Sequence, residues 1–276
     1  MALEVGFIGV GGTRLGPGEE ATCFVVNDNI LVDVGFNVAV SMQALEVTPA
    51  QIDHVFFTHC HHDHVLGLPG LLFARNRSAE ERPDAPPIQL HGPQDLTPAY
   101  AAALGMLQAD RYPQVVPECR VHRVYPGESI EVGDLRIDVG RAFHPLDARC
   151  YRFTDTVTRG SLVISGDTAY HEGLTDFARD ADVLIHEAAG SPASESVDMR
   201  YLHSRPQDAA RVAMGASVST LALVHYPASQ AAAVLSKAKQ VFPNTRLARK
   251  GQRLQVLGLG QVAWLECLSA ARIASF

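Results

Sequence analysis

The sequence predicts an α/β fold in which sheets are sandwiched between layers of helices, carried by one domain over residues 1–276. Two observations predict it. Short apolar runs of strand length alternate with helical patterns along the whole chain, and no linker-like stretch divides it. A third observation says where function lies: histidines and acidic residues recur where apolar runs end, so a rigid frame holds polar groups at its rim.

Residues 4–10, 22–27 and 30–34 read as strands, with the Gly/Pro-rich stretch 11–18 as the loop between the first two. Thr48, Pro49 and Gln51 predict a helix start with a capping-box partner, just before a strand Val55–Thr58. An apolar helical pattern covers Val65–Arg75, the polar, proline-bearing stretch from Asn76 to Pro93 reads as a surface loop, and 95–108 reads as helix. The segment Ser129–Phe143 is expected to be a hairpin turning at Gly133-Asp134. Residues 161–165 and 182–186 are buried-strand runs, and 205–216 is a helix with Ser204 as its N-cap and Gln207 three residues on. A strand Val218–Val224, an Ala-rich helix Ser229–Val241 and two strands over 253–267 around Gly258-Leu259-Gly260 complete the reading.

Composition narrows the function classes. An apolar fraction of 47% with 19% charged residues is ordinary for a globular protein and suffices for a sizeable core. The amino terminus has no basic n-region, and the apolar stretches 30–36 and 66–74 are too short to span a bilayer, so a cytoplasmic location without a membrane partner is expected. Five cysteines, Cys23, Cys60, Cys119, Cys150 and Cys267, are an odd number without C-x-x-C spacing, which argues against a disulfide framework and a cysteine zinc site. Net charge is −7, and Lys237, Lys239 and Lys250 are the only lysines. The one basic concentration, from Lys237 to Arg253, reads as a solvated face, so a large nucleic-acid partner is disfavoured.

The most specific stretch is His59-Cys60-His61-His62-Asp63-His64. Coming off an extended segment, residues two apart project to the same side, so His59 and His61 converge on one ion while Asp63 and His64 face a second as the chain turns. Neutral imidazoles and a carboxylate suit borderline-soft divalent cations. Further donors follow later strands: His144 after the run ending at Phe143, Asp167 in S-G-D-T, and His225 after Val224. His54, His62, His91, His122, His171 and His186 are read as structural or surface residues, and Tyr170, His171 and Tyr226 flank the candidate ligands, where lining of the substrate pocket and ordinary aromatic packing explain them equally well.

With Asp33 in L-V-D-V-G, Glu187 in L-I-H-E-A, His203 in H-S-R and His225 in L-V-H-Y, these motifs make the chain similar to the metallo-β-lactamase superfamily, in its tRNase Z-like branch of hydrolases. The resemblance runs from about residue 5 to 226 and implies an αββα sandwich of two mixed sheets flanked by helices. It implies two divalent metal ions, Zn²⁺ first with Mn²⁺ or Fe as alternatives, held by His59, His61 and His144 and by Asp63, His64 and His225, with Asp167 bridging beside a shared water or hydroxide. Asp63 would also serve as general base, His203 oriented by Glu187 as the acid, and Asp33 would fix the ligand loop through hydrogen bonds.

Two departures from the family pattern bear on substrate. The tRNA-gripping arm of true tRNase Z enzymes lies between the third metal histidine and the bridging aspartate, whereas here 22 residues separate His144 from Asp167. The loop Gly11–Glu20 also lacks a P-T-x-x-R-N signature, and Tyr-Pro-Ala-Ser after His225 lacks the expected arginine. The expectation is therefore a dinuclear hydrolase of a small phosphodiester, such as a cyclic nucleotide or related metabolite. The alternatives are another ester class (aryl sulfate, lactone or thioester), tRNA 3′-processing, and a non-catalytic metal-binding protein. Oligomeric state stays open; a homodimer is the state common in this branch, with the apolar tail 263–276 as a contributor.

Overall fold

The computed structural model describes residues 2–194, 196 and 198–265. The first sheet takes β1 (Leu3–Gly9), β2 (Cys23–Val26), β3 (Ile30–Val32), β4 (His54–Phe56), β5 (Ile88–Gly92) and β6 (Cys119–Arg123). The second takes β7 (Ser129–Val132), β8 (Leu135–Arg141), β9 (Arg149–Asp155), β10 (Ser161–Ile164), β11 (Val183–Glu187), β12 (Thr220–Val224) and β13 (Thr245–Leu247). The chain then returns to the first sheet with β14 (Arg253–Gly258) and β15 (Gln261–Leu265), giving the spatial orders β15-β14-β1-β2-β3-β4-β5-β6 and β13-β12-β11-β10-β9-β8-β7.

Strand alternation builds the layers. Phe7, Phe24 and Phe56 point from the first sheet into a buried layer with Tyr151, Phe153, Ile164 and Ile185 of the second. The Phe56 ring meets Tyr151 and Phe153 edge-on at centroid distances of 5.3 and 6.1 Å, contacts that fix the spacing of the two sheets. The intervening residues bury outward. Val25, Leu31, Val55 and Phe57 pack under α1 (Val38–Ser41), α3 (Leu68–Arg77) and α4 (Leu96–Met106), with the single-turn α2 (His62–Val65) preceding α3. Val163, Leu184 and Leu223 pack under α5 (Glu172–Phe177), α6 (Pro206–Gly215) and α7 (Ala231–Lys239). Strands covered on both faces read as continuous apolar runs, and the result is the expected helix–sheet–sheet–helix sandwich.

Strand direction places the site. β10, β11 and β12 are parallel, and β8, antiparallel to β9, which is antiparallel to β10, runs the same way. β3 and β4 are parallel in the other sheet. The segments holding Asp33, His59–His64, His144, Asp167, Glu187 and His225 all follow or end the carboxyl ends of these strands, the rim where open α/β sheets bind ligands.

Several local expectations change. The loop expected over 76–93 ends in β5, which pairs in parallel with β4 and β6; two prolines just before it mask its start. The capping box at Thr48 is present, with Thr48 N–H donating to Gln51 Oε1 at 2.8 Å, but it opens only one 3₁₀ turn, Pro49–Gln51, before the chain extends into β4. The helix read from Val65 starts at Leu68, because the chain first makes α2 and then passes Gly67, where a Cβ would lie 1.8 Å from the Gly35 carbonyl oxygen. The N-cap of α6 is Arg205 rather than Ser204: Asp208 accepts from the Arg205 N–H at 3.2 Å, which frees Ser204 for the site. The β7–β8 hairpin turns at Gly133-Asp134 as expected, pairing Val132 with Leu135.

Among the described residues Cys23, Cys60, Cys119 and Cys150 are free thiols, and no helix is long and apolar enough to cross a membrane. Cys267 and most of the tail considered for pairing, residues 266–276, lie outside the described residues.

Candidate metal centre

The ligand loop is clamped at both ends before any ion is considered. The Thr58 carbonyl accepts from Arg149 N–H of the second sheet at 2.7 Å, and the His64 carbonyl accepts from Val34 N–H at 2.8 Å. Asp33, on left-handed backbone at φ 60°, accepts from Thr58 N–H at 2.8 Å, from Thr58 Oγ1 at 2.7 Å and from His64 Nδ1 at 2.8 Å. A carboxylate only accepts, so His64 carries its proton on Nδ1, and neutral His64 presents a lone pair on Nε2. Asp and His tolerate this backbone region better than most residues. His225 shares it, at φ 54°, held by its N–H donating to the Val10 carbonyl at 2.7 Å.

The side chains converge. His59 Nε2 lies 2.9 Å and His144 Nε2 3.0 Å from His61 Nδ1, so three imidazoles from both sheets point nitrogens at one spot. His225 Nε2 lies 3.2 Å from Asp63 Oδ2, and His64 Nε2 lies 3.7 Å from the same oxygen. Asp167 Oδ2 sits between the groups, 3.4 Å from His64 Nε2, 3.6 Å from His225 Nε2 and 3.8 Å from His59 Nε2. Its position needs Gly166 at φ 60°, where a Cβ would come within 2.8 Å of Thr58 and the Arg149 carbonyl. The donor atoms of His59, His61, His144 and Asp167 lie within 4.8 Å of one another, as do those of Asp63, His64 and His225, and those of Asp167, His203 and His225.

Electrostatics favour a cation here. Burial holds His59 well below the usual imidazole range, lowers His61 and brings His144 down to about 4, which keeps their lone pairs free. Burial would raise Asp63, but the hydrogen bond from His225 and the charges of His64 and His225 outweigh it, and its carboxyl falls to about 2. Burial likewise opposes a charge on His64 and His225, yet Asp167, with Asp33 for His64 and Asp63 for His225, pulls both upward. The carboxylates thus recruit protons where no other positive charge is supplied, and a cation binding there displaces them. His64 Nε2 is buried without a hydrogen-bond partner among the described residues, a donor atom suited to a metal ion. The residues present therefore fit a pair of divalent cations.

Beside them stands a second unit. His203 Nδ1 lies 3.0 Å from Glu187 Oε1 and 3.9 Å from Asp167 Oδ2. Glu187 Oε1 also accepts from Thr168 N–H at 3.1 Å and Ser204 N–H at 2.9 Å, while Oε2 accepts from Ala189 N–H at 2.8 Å. Burial opposes protonation of His203, but the Glu187 charge and hydrogen bond override it and carry the imidazole up to about 9. Every candidate ligand, with Asp33, Glu187 and His203, is thus in one cluster, whereas Tyr226 turns its hydroxyl to the Ala248 carbonyl. Three supporting residues were not read there. Thr58 fills Asp33, the Ser204 hydroxyl donates to the Thr168 carbonyl at 2.7 Å, and Thr168 Oγ1 accepts from Phe143 N–H at 2.9 Å. The threonine directly before His59 was the available signal; Thr168 and Ser204 had none beyond lying next to Asp167 and His203.

Fold and site together define a metal-dependent hydrolase of the αββα type. A family model described as the beta-lactamase superfamily domain matches residues 28–226, an interval that spans Asp33 to His225, and the chain belongs to that superfamily, in its tRNase Z-like branch. Ribonuclease Z of Geobacillus kaustophilus is 29% identical over 252 residues, covering 73% of this chain and 80% of that protein. Among solved structures, the metallo-beta-lactamase fold protein YhfI from Bacillus subtilis superposes with a TM-score of 0.77 at 23% identity, over 92% of this chain and 99% of that one. Human tRNase Z, short form, gives 0.75 at 21% identity, over 92% and 99%.

Proposed function

We propose that residues 1–276 act as one catalytic domain, a dinuclear phosphodiesterase for a small phosphodiester such as a cyclic nucleotide or a related metabolite. His59, His61 and His144 would hold one ion and Asp63, His64 and His225 the other, with Asp167 placed to serve both. Zn²⁺ matches this imidazole and carboxylate set best, and Mn²⁺ or Fe can take the same donors. Two such cations supply Lewis acidity to the ester oxygens and lower the pKa of water toward neutrality.

The chain's own residues do the remaining work. Asp33 holds His64 in the tautomer that leaves Nε2 free. Asp63, ionised through the physiological range, can accept the proton of the attacking water. His203, with Nδ1 turned to Glu187, whose charge and hydrogen bond raise its pKa, would keep Nε2 for the leaving oxygen. That pair carries the reading: an alkoxide needs a proton to leave, a thiolate does not, and the relatives that bear the name ribonuclease Z act, by that name, on a phosphodiester polymer.

A His203→Ala variant loses roughly 100-fold in kcat on a diester with an alkyl leaving group and far less on one that expels p-nitrophenolate. Equal losses on both would remove His203 from the acid role. A panel of bis-p-nitrophenyl phosphate, aryl sulfate, lactone and thioester tests the ester class; turnover confined to the lactone contradicts the phosphodiester reading. A second reading, tRNA 3′-processing, draws support from coverage of 80% of the Geobacillus ribonuclease Z. Against it, the interval from His144 to Asp167 is filled by β9, a turn and β10, with no arm to grip tRNA. Cleavage of a precursor tRNA at rates above those on small diesters would favour that second reading.

A further inference from the structure

Glu20 is 1% exposed, although the loop it closes, residues 13–19, is mostly exposed. A carboxylate buried this far is costly unless donors surround it. Three do. Oε1 accepts from Ala21 N–H, and Oε2 accepts from Asn37 N–H and from the Ser41 hydroxyl, each at 2.9 Å. The fit is close, since a Cβ on Gly35 would lie 2.7 Å from Glu20 Oε1. Lys250 adds a further tie, its ammonium donating to the Ser41 hydroxyl at 3.2 Å and to the Gly18 carbonyl at 3.0 Å.

The two segments that meet on this carboxylate each hold part of the same cage. On one side is the turn from Asp33 to Asn37. Asp33 accepts from His64 Nδ1, Val34 N–H donates to the His64 carbonyl, and the Gly35 carbonyl abuts Gly67, so this turn supports the one that carries Asp63 and His64. On the other side is the strap around Gly11. The Glu20 carbonyl accepts from Gly11 N–H at 3.0 Å, and Thr22 donates to the Gly11 carbonyl from its N–H and from Oγ1, both at 2.8 Å. The residues flanking Gly11 both meet His225. The Val10 carbonyl accepts from His225 N–H at 2.7 Å, and a Cβ on Gly12 would lie 3.4–3.6 Å from atoms of the His225 ring. The clamp at the His59 end of the ligand loop is a different one, between the Thr58 carbonyl and Arg149 N–H.

A buried acid that pins a loop is ordinary fold-making. This one ties together the supports of Asp63 and of His225, which lies 162 positions further along the chain. On the two-ion reading above, we infer that Glu20 is a positioning residue for the cage of Asp63, His64 and His225: its carboxylate fixes the turn beneath Asp63 and His64 relative to the strap that holds His225. Donors to a cation must keep their places to within about 0.5 Å, so freedom between these segments weakens that ion and spares the one at His59, His61 and His144.

The test uses the full-length protein as wild type, Glu20→Gln, Ser41→Ala and Asp155→Asn. Glu20→Gln turns an acceptor into an NH₂ group facing donors, and Ser41→Ala removes one donor. Asp155→Asn is the control, a buried carboxylate that accepts from Val157 N–H and Thr158 N–H at the β9–β10 turn. In competition with a zinc chelator, Glu20→Gln weakens one of the two ions by roughly tenfold and the other by less than about twofold. Adding His225→Ala to it leaves the surviving ion bound, whereas adding His61→Ala releases that ion. In the metal-free protein, hydrogen exchange of the Val34 and His225 amides speeds up together by roughly tenfold, while that of the Arg149 amide does not change. Ser41→Ala gives the same pattern more weakly and decides the matter if Glu20→Gln does not fold; Asp155→Asn gives neither effect, even at an equal loss of Tm. Equal weakening of both ions, affinities unmoved for both, or Val34 and His225 amides no faster than in Asp155→Asn overturns the inference. A wild-type chain that holds fewer than two ions overturns the two-ion reading instead, and the exchange pattern alone then decides whether Glu20 joins the two segments.

Discussion

Asp33 concentrates three donors on two oxygens, and one of them sets the tautomer of His64. In Asp33→Asn one acceptor becomes an NH₂ group facing N–H and O–H donors, so a buried donor loses its partner. We expect roughly 10- to 100-fold weaker retention of the ion at Asp63, His64 and His225, read by competition with a chelator of known affinity. His91 offers a pH test away from the centre. Burial, with His54 and His122 nearby, lowers it to about 3, so it is neutral in the folded chain across the range where an unfolded histidine titrates near 6.5. Its contribution is complete above about pH 6.5 and is lost as pH falls toward 3. His91→Phe, which preserves the stack on Phe56 at 4.4 Å, should flatten the acid limb of a denaturation midpoint–pH profile between pH 6.5 and 4. An unchanged limb would locate the titration elsewhere. The ligand residues were legible because their chemistry is written in local spacing and strand ends. Thr168 and Ser204 were not, because a hydroxyl is a common residue type and their partnership spans 36 positions.

At the scale of elements, the passage from α2 to α3 depends on Gly67. A methyl group there would lie 1.8 Å from the Gly35 carbonyl oxygen, backbone that cannot swing aside. Gly67→Ala therefore displaces the turn carrying Asp63 and His64. The expected outcome is a loss of more than about 2 kcal/mol in chemical denaturation together with substoichiometric metal, whereas Gly70→Ala, with open space around its Cβ position, is expected to be silent. The same scale explains what sequence reading missed. β6 is an edge strand with half-exposed residues, β13 has three residues, and β5 starts after two prolines; none is long enough or patterned enough for periodicity to show. The buried runs of β10, β11 and β12 were visible because both faces are covered, which leaves a continuous apolar signature.

For the molecule as a whole, the candidate ligands come from both sheets: His59, His61, Asp63 and His64 follow β4, while His144, Asp167 and His225 follow β8, β10 and β12. A cation held by these residues would join the two sheets at their rim, and its free energy of binding would add to the free energy of folding. Chelation is expected to lower Tm markedly, and Tm should climb with added Zn²⁺ once the protein is reloaded; a Tm indifferent to both would deny that the ions bridge the sheets. Phe56, wedged between Tyr151 and Phe153, sets the gap that this rim inherits, so Phe56→Ala should cost about 3–5 kcal/mol and weaken metal binding without touching a ligand. The donors are also spread widely along the chain, from Asp63 and its neighbours to His225 on the backbone just after β12. A nascent polypeptide emerging from the ribosome holds six of the seven donors by residue 167 yet lacks the strand and the imidazole that complete the second cage. The second cage is therefore completed only when the segment carrying His225 has been made, after all the other candidate donors.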